Sequence, residues 1–294
     1  MNGFMRITAA AILLLIILGG SLPGVVDAMN WPSENAVLVR NFGSNNRGWP
    51  VLGMVFEGET KVLAADRGEV IFSRGRNASA SRLPSPLGAW VAVDHEDGLI
   101  SIYSRFDGEE TPFEYTTVEK LQPIASSGVS GWSARNGFYF IVFDRRERRW
   151  VNPAMIITPV RETRPVRILS VDLRDSQGLT AQSRNLGQGR YKVIVNASSA
   201  AQGGPTAFQY APQRIVCSIN GAEVGSLNFE AVSARDGVLM VYRNGLVPAK
   251  QIYAAFPAFE VAEVFLTRGQ ANLEIIAQNI AGASVNLVNR LNVN

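Results

Sequence analysis

From residue 28 onward, short runs of β-branched and aromatic residues alternate with clusters of Gly, Pro and Asn, and a new run begins about every ten residues. Apolar residues at the three-to-four spacing of a helix face are hard to find. The pattern predicts an all-β chain. In the first half the candidate strands are Ala36–Asn41, Lys61–Ala65, Gly68–Ser73, Trp90–His95, Leu99–Arg105 and Phe138–Phe143. In the second they are Val166–Leu173, Gly189–Asn196, Arg214–Ile219, Gly237–Tyr242, Phe259–Thr267, Ala271–Gln278 and Ser284–Val293. Asn220-Gly221 between two strand-like runs is a hairpin signal, because both positions of that two-residue turn need positive φ.

The pattern is interrupted once by a stretch with little to bury, Thr158-Pro159-Val160-Arg161-Glu162-Thr163-Arg164-Pro165. A linker is expected at residues 159–165, between a domain at 29–158 and a second at 166–294. Two domains also suit 294 residues with 47% apolar content, at roughly 100–200 residues per domain. The short strands after residue 166 predict an immunoglobulin-like β-sandwich. Residues 1–28 differ in kind. Arg6 precedes the apolar run Ile7 to Leu18, and Val26-Asp27-Ala28 offers small residues for cleavage, so this segment reads as an export signal. The run is too short to span a bilayer, and no later one has spanning length. The expected location is the periplasm or cell envelope.

Composition narrows the chemistry. The single cysteine, Cys217, allows no intrachain disulfide and sits in an apolar strand, which reads as a buried structural thiol. The net charge of +3 survives loss of the signal, which removes Arg6 and Asp27 together. That is compatible with anionic envelope polymers and too small to indicate nucleic acid. The whole chain has one histidine, His95.

Five landmarks in order carry a family resemblance: Asn41-Phe42-Gly43, Gly58 to Val70 (GETKVLAADRGEV), Val91 to Phe106 (VAVDHEDGLISIYSRF), Val118 to Gly131 (VEKLQPIASSGVSG) and Val151-Asn152-Pro153. Over residues 41–158 the chain resembles the lysostaphin-type, or LytM-type, zinc endopeptidases that cut peptide crosslinks in bacterial peptidoglycan. The resemblance implies a small β-roll, of the duplicated hybrid motif kind, with a groove across one sheet.

The family's chemistry does not follow. Its "H-x-G-x-D" zinc motif aligns with Val51-Leu52-Gly53-Met54-Val55, its "Y-x-H-L" with Tyr103-Ser104-Arg105-Phe106, and its "H-x-H" with Phe138-Tyr139-Phe140. The vestigial ligand and proton-handling positions are thus Val51, Val55, Arg105, Phe138 and Phe140. Aliphatic and phenyl groups offer zinc no lone pair, and a permanent guanidinium cation opposes a dication. With one histidine in the chain, no shift of alignment restores the three this chemistry needs. No nucleophile elbow or converging carboxylate set stands in its place. The expectation is a protein without catalytic residues, metal or cofactor.

In the family the groove is flanked by loops, and those of this chain carry Trp49, Trp132 and Arg135, a possible rim. Arg145-Arg146-Glu147-Arg148-Arg149 is the densest charge in the chain, and Arg145, Arg146, Arg148 and Arg149 form a possible docking patch for an acidic partner. The resemblance implies a silent relative that binds peptidoglycan or regulates a cell-wall hydrolase. The alternatives are an envelope assembly scaffold acting through protein contacts and, less in keeping with these residues, an active cell-wall metalloendopeptidase.

Overall fold

The computed structural model describes residues 28–75, 85–107, 116–161, 165–180, 185–200 and 209–294. The export segment lies outside them except for Ala28, as do positions 162–164 of the expected linker. The chain is all-β, with one short helix at Ala249–Tyr253. No helix among the described residues is long and apolar enough to cross a membrane.

In the first half, strands β1 (Val37–Arg40), β2 (Met54–Glu57), β3 (Gly68–Arg74), β4 (Trp90–Asp94), β5 (Leu99–Ser104) and β6 (Gly137–Asp144) form one antiparallel sheet. Its order is β3-β4-β5-β6, with β2 and then β1 continuing beyond the first turns of β6. A smaller sheet of Lys61–Leu63, Phe106–Asp107 and Pro123–Ser127 adds Val62, Phe106 and Ile124 to a core shared with Tyr103, Phe138 and Phe140. Burial of this apolar surface is the main force holding the unit together.

The first half closes with β7 (Arg149–Val151), and the second runs through β8 (Val166–Arg174), β9 (Gly189–Ala200), β10 (Arg214–Ile219), β11 (Ala222–Arg235), β12 (Val238–Arg243), β13 (Phe259–Leu266), β14 (Gly269–Gln278) and β15 (Ser284–Val293). Strands β8, β9 and β13 make one sheet; β12, β11, β10, β14 and β15 belong to another. The two share a core that includes Val193, Val195, Ile215, Leu227, Val261 and Ile275, a sandwich arrangement. Asn220 (φ 51) and Gly221 (φ 84) turn the β10–β11 hairpin in the left-handed geometry expected of them. Strand β11, the longest at 14 residues, is not evident in the sequence because Gly225, Asn228 and Glu230 interrupt its apolar pattern. It also changes role along its length. Residues 222–228 pair with β10, and the register with β12 shifts between Asn228 and Val232.

The two halves share a hydrogen-bonded ladder. Strand β7 pairs with β11 (Arg149↔Ser233, Trp150↔Val232, Val151↔Ala231), so one hydrogen-bonded sheet runs from β3 through β6 and β7 into β11 and on to β15. Below this ladder Phe42, a first-half residue, is fully buried in the second core. The turn beside it has no room to spare. Gly43 has φ 77, and a Cβ there would lie 2.5 Å from Cδ1 of Phe229. The amide of Asn41 pairs with the backbone of Ala211 in both directions, at 2.9 Å each. Tyr253 donates its hydroxyl to the Gly43 carbonyl at 2.9 Å, and Asn152 Nδ2 donates to the Phe229 carbonyl at 2.9 Å.

Replacing Gly43 by Ala therefore strains the backbone and overpacks the Phe229 ring together. Equilibrium urea unfolding should show a loss of more than about 2 kcal/mol, partly recovered when Phe229→Leu is added. A Gly43→Ala protein as stable as the parent would contradict this packing.

Candidate functional site

Strand β6 carries six successive apolar residues, so its two faces have to be read from pairing. Phe138, Phe140 and Val142 are fully buried in the first core. Tyr139 and Ile141 alternate with them and face the other way. On that opposite face Val55 pairs with Tyr139, and Tyr139 with Ser104. Phe138 and Phe140 therefore lie in the core and do not join Val55. Tyr139 and Ile141, one residue displaced, take the face of the sheet that Val55 shares. Because every residue from 138 to 143 is apolar, the sequence offers no polar beat to set the phase.

The Tyr139 hydroxyl accepts the backbone N–H of Leu52 at 3.0 Å, and burial pushes its phenol up to about 12. Over its ring, 5.2 Å from the centroid, lies the guanidinium carbon of Arg105. Arg105 sits between β5 and the Phe106–Asp107 strand with φ 72, its N–H held by the Leu87 carbonyl at 2.9 Å. A non-glycine residue there costs on the order of 1–3 kcal/mol. Burial pulls its guanidinium below the ordinary arginine range; Tyr139 opposes that pull, Arg40 adds to it and Glu57 opposes it. Its Nε is buried without a hydrogen-bond partner. Such a donor costs on the order of 1–3 kcal/mol when left unmet.

Arg105 opens onto a groove of about 370 Å³ whose lining includes Arg40, Val55, Glu57, Trp132 and Arg135. Arg135 contacts Glu57 at 3.1 Å, and Arg40 donates to Asn46 Oδ1 at 2.9 Å. Three arginines against one carboxylate leave the groove cationic. Trp132 is 78% exposed. So Val55, Arg105, Trp132 and Arg135 meet at one place, joined by Arg40, Glu57 and Tyr139, which sequence reasoning did not single out. Val51 is buried in the turn before β2, and the exposed Trp49 pairs with Asn46 beside the helix Ala249–Tyr253. The donor set does not fit zinc. A valine and a neutral phenol beside two cations offer a dication neither charge nor adequate lone pairs. Among the described residues no three His, Cys, Asp or Glu side chains converge.

His95 is buried and held at both ring nitrogens, Nδ1 2.6 Å from the Arg67 carbonyl and Nε2 2.8 Å from Ser101 Oγ. A carbonyl only accepts, so Nδ1 donates, and the ring is anchored as a structural residue. The arginine hairpin is less cationic than its sequence. Arg145 is bound to Asp94 at 2.6 Å and Arg149 lies 3.7 Å from Asp144. Asp144 Oδ1 accepts the N–H groups of Arg146 and Glu147, and Arg148 takes φ 52 to close the turn. The cleft beside it sets Arg148, Arg149 and Arg235 against Glu147, Glu230 and Asp236, so the charges cancel.

A protein-family model matches residues 165–294. A protein of Treponema pallidum (strain Nichols), named as an uncharacterized protein, is 26% identical over 149 residues, 46% of this chain and 98% of that protein. Solved structures similar to the chain include one of the SpoIIQ–SpoIIIAH pore-forming complex, at 21% identity over 45% of this chain and 92% of that one, with TM-score 0.34. Another is the catalytic domain of a mutant of the prophage-encoded protein EnpA from Enterococcus faecalis, at 19% identity, 44% and 95% coverage and TM-score 0.36. The antimicrobial peptidase lysostaphin from Staphylococcus simulans matches at 15% identity, 73% and 86% coverage and TM-score 0.33. At these values no residue role passes from those proteins to this one.

Two outcomes test the site's construction. Val55→Glu should cost under about 1.5 kcal/mol, because its carboxylate meets Arg40 and Arg105, whereas Phe140→Glu should prevent folding by burying an unpaired charge. Equal losses in urea unfolding would overturn the face assignment. Burial also pushes the Cys217 thiol up to about 12 from its ordinary 9.0. The fold therefore favours the protonated thiol, and this contribution is complete below pH 9.0 and lost as pH rises toward 12. Iodoacetamide at about pH 8 should leave Cys217 unmodified in the native protein and alkylate it fully in guanidinium chloride, as read by mass spectrometry.

Proposed function

We propose that this protein is a catalytically silent, exported relative of the lysostaphin-type peptidases that binds peptidoglycan through the groove around Arg105. Residues 1–28 serve as its export signal, 29–158 as the peptidase-like domain and 166–294 as an immunoglobulin-like module that holds the first domain in place. One observation carries the reading. The groove face presents Val55, Tyr139 and Arg105 with Arg40 and Arg135, so the surface has lost metal chemistry while retaining an open, cationic cleft with an exposed tryptophan. An apolar floor with a few convergent polar groups is what a binding site requires. A groove merely filled to restore a core has no use for three arginines. Control of a cell-wall hydrolase is the related role that the same groove supports, by occupying crosslinks the hydrolase would cut.

The test is sedimentation of the mature protein with purified peptidoglycan sacculi. It should pellet at low salt and be released as ionic strength rises, since the attraction is largely between exposed charges. Reversing Arg146 and Arg148 to Glu should change the bound fraction less than about two-fold, because the hairpin's charge is already offset. Protein that stays in the supernatant at low salt sinks the reading.

A further inference from the structure

The strongest unexplained feature of the molecule is Arg105, because three unfavourable circumstances meet there and the protein sets only the neutral ring of Tyr139 against its guanidinium. Its backbone is held at φ 72, its guanidinium is partly buried, and Arg40 stands close enough to disfavour its charge. Among the described residues no hydrogen bond or ion pair reaches that guanidinium, and its buried Nε has no acceptor. The nearest carboxylate in the groove, Glu57, is engaged by Arg135. A strained, desolvated cation that the fold answers with no anionic partner is arranged for an anion from outside.

We propose that Arg105 anchors the free C-terminal carboxylate of a short peptide laid in this groove. The inference rests on the binding role proposed above and names the chemical group recognised. A planar guanidinium pairs two N–H groups with the two oxygens of a carboxylate, and an anion held at its terminal Nη groups relieves the repulsion between Arg40 and Arg105. The walls select against a bare inorganic anion. Val39, Val55 and Ala134 line the same groove beside Trp132, so the ligand presents apolar side chains next to its charge. Small residues near the carboxylate suit the volume of about 370 Å³.

The probe is N-acetyl-trialanine with a free carboxylate, compared with its C-terminal amide, titrated into the full mature protein while the side-chain Nε–H resonance of Arg105 is followed by NMR. The acid should shift that resonance downfield and perturb the indole of Trp132, and the amide should bind about ten-fold more weakly or worse. Arg105→Asn distinguishes a binding role from a structural one. Asparagine tolerates the left-handed region, so the variant should unfold at the parent's temperature or above it while losing the acid's binding. If the amide binds as well as the acid, if inorganic phosphate at the same concentration produces the same shift, or if Arg105→Asn binds unchanged, the proposal is overturned. A parent protein that pellets with sacculi yet ignores the acid also overturns it, and leaves the broader reading standing. A variant that loses the acid while still pelleting supports it and places the sacculus contact elsewhere.

Discussion

Phe42 belongs to the first half of the chain by position and to the second by packing, and the rest of the molecule is organised around that crossing. For its ring to enter the second core, the chain has to turn at once, and Gly43 makes the turn against the face of Phe229. Asn41, Tyr253 and Asn152 then satisfy the backbone groups that the crossing exposes. The loop that follows carries Val51 and leads into β2, so the seat of Phe42 also fixes one wall of the groove.

The strand-by-strand layout was largely open to reading, because period-two alternation bounded by Gly, Pro and Asn is a local property. Arg214–Ile219 and Ser284–Val293 have the bounds their pattern suggests, and most others differ by a residue or two at the ends. Several elements, Met54–Glu57, Pro123–Ser127 and Arg149–Val151 among them, were not picked out, and two more show the physical reasons. Strand β11 is shaped by partners on three other strands, and its polar interruptions make sense only where it leaves one partner for another. The helix Ala249–Tyr253 is a single short turn that packs Ile252 and Tyr253 into the core and carries no side-chain cap to announce it.

The groove was half legible. Arg105, Val55, Trp132 and Arg135 could be named from family-like landmarks, since each lies in or beside a recognisable motif. Phe138 and Phe140 could not be assigned to core or groove from the sequence, because an unbroken apolar run hides its own phase and a one-residue slip inverts every side chain. Arg40, Glu57 and Tyr139 were missed for a different reason. They sit on strands whose approach depends on the pairing of β2 with both β1 and β6, a contact between distant segments that composition does not encode. The arginine hairpin shows the converse error, in which a charge run conspicuous in sequence is matched in space by Asp94, Asp144 and the acids of β11.

The ladder between β7 and β11 also dictates an order of events. Arg149–Val151 is made near the midpoint of the 294-residue chain, before its partners Ala231, Val232 and Ser233 have emerged. Until they arrive, the first half presents an open strand edge, with Phe42 lacking the core that receives it. Open edges recruit whatever strand is nearby, and long-range pairings close slowly. The nascent chain is therefore vulnerable until β11 has been made, and a truncation between β7 and β11 leaves a sticky fragment in place of a smaller working protein.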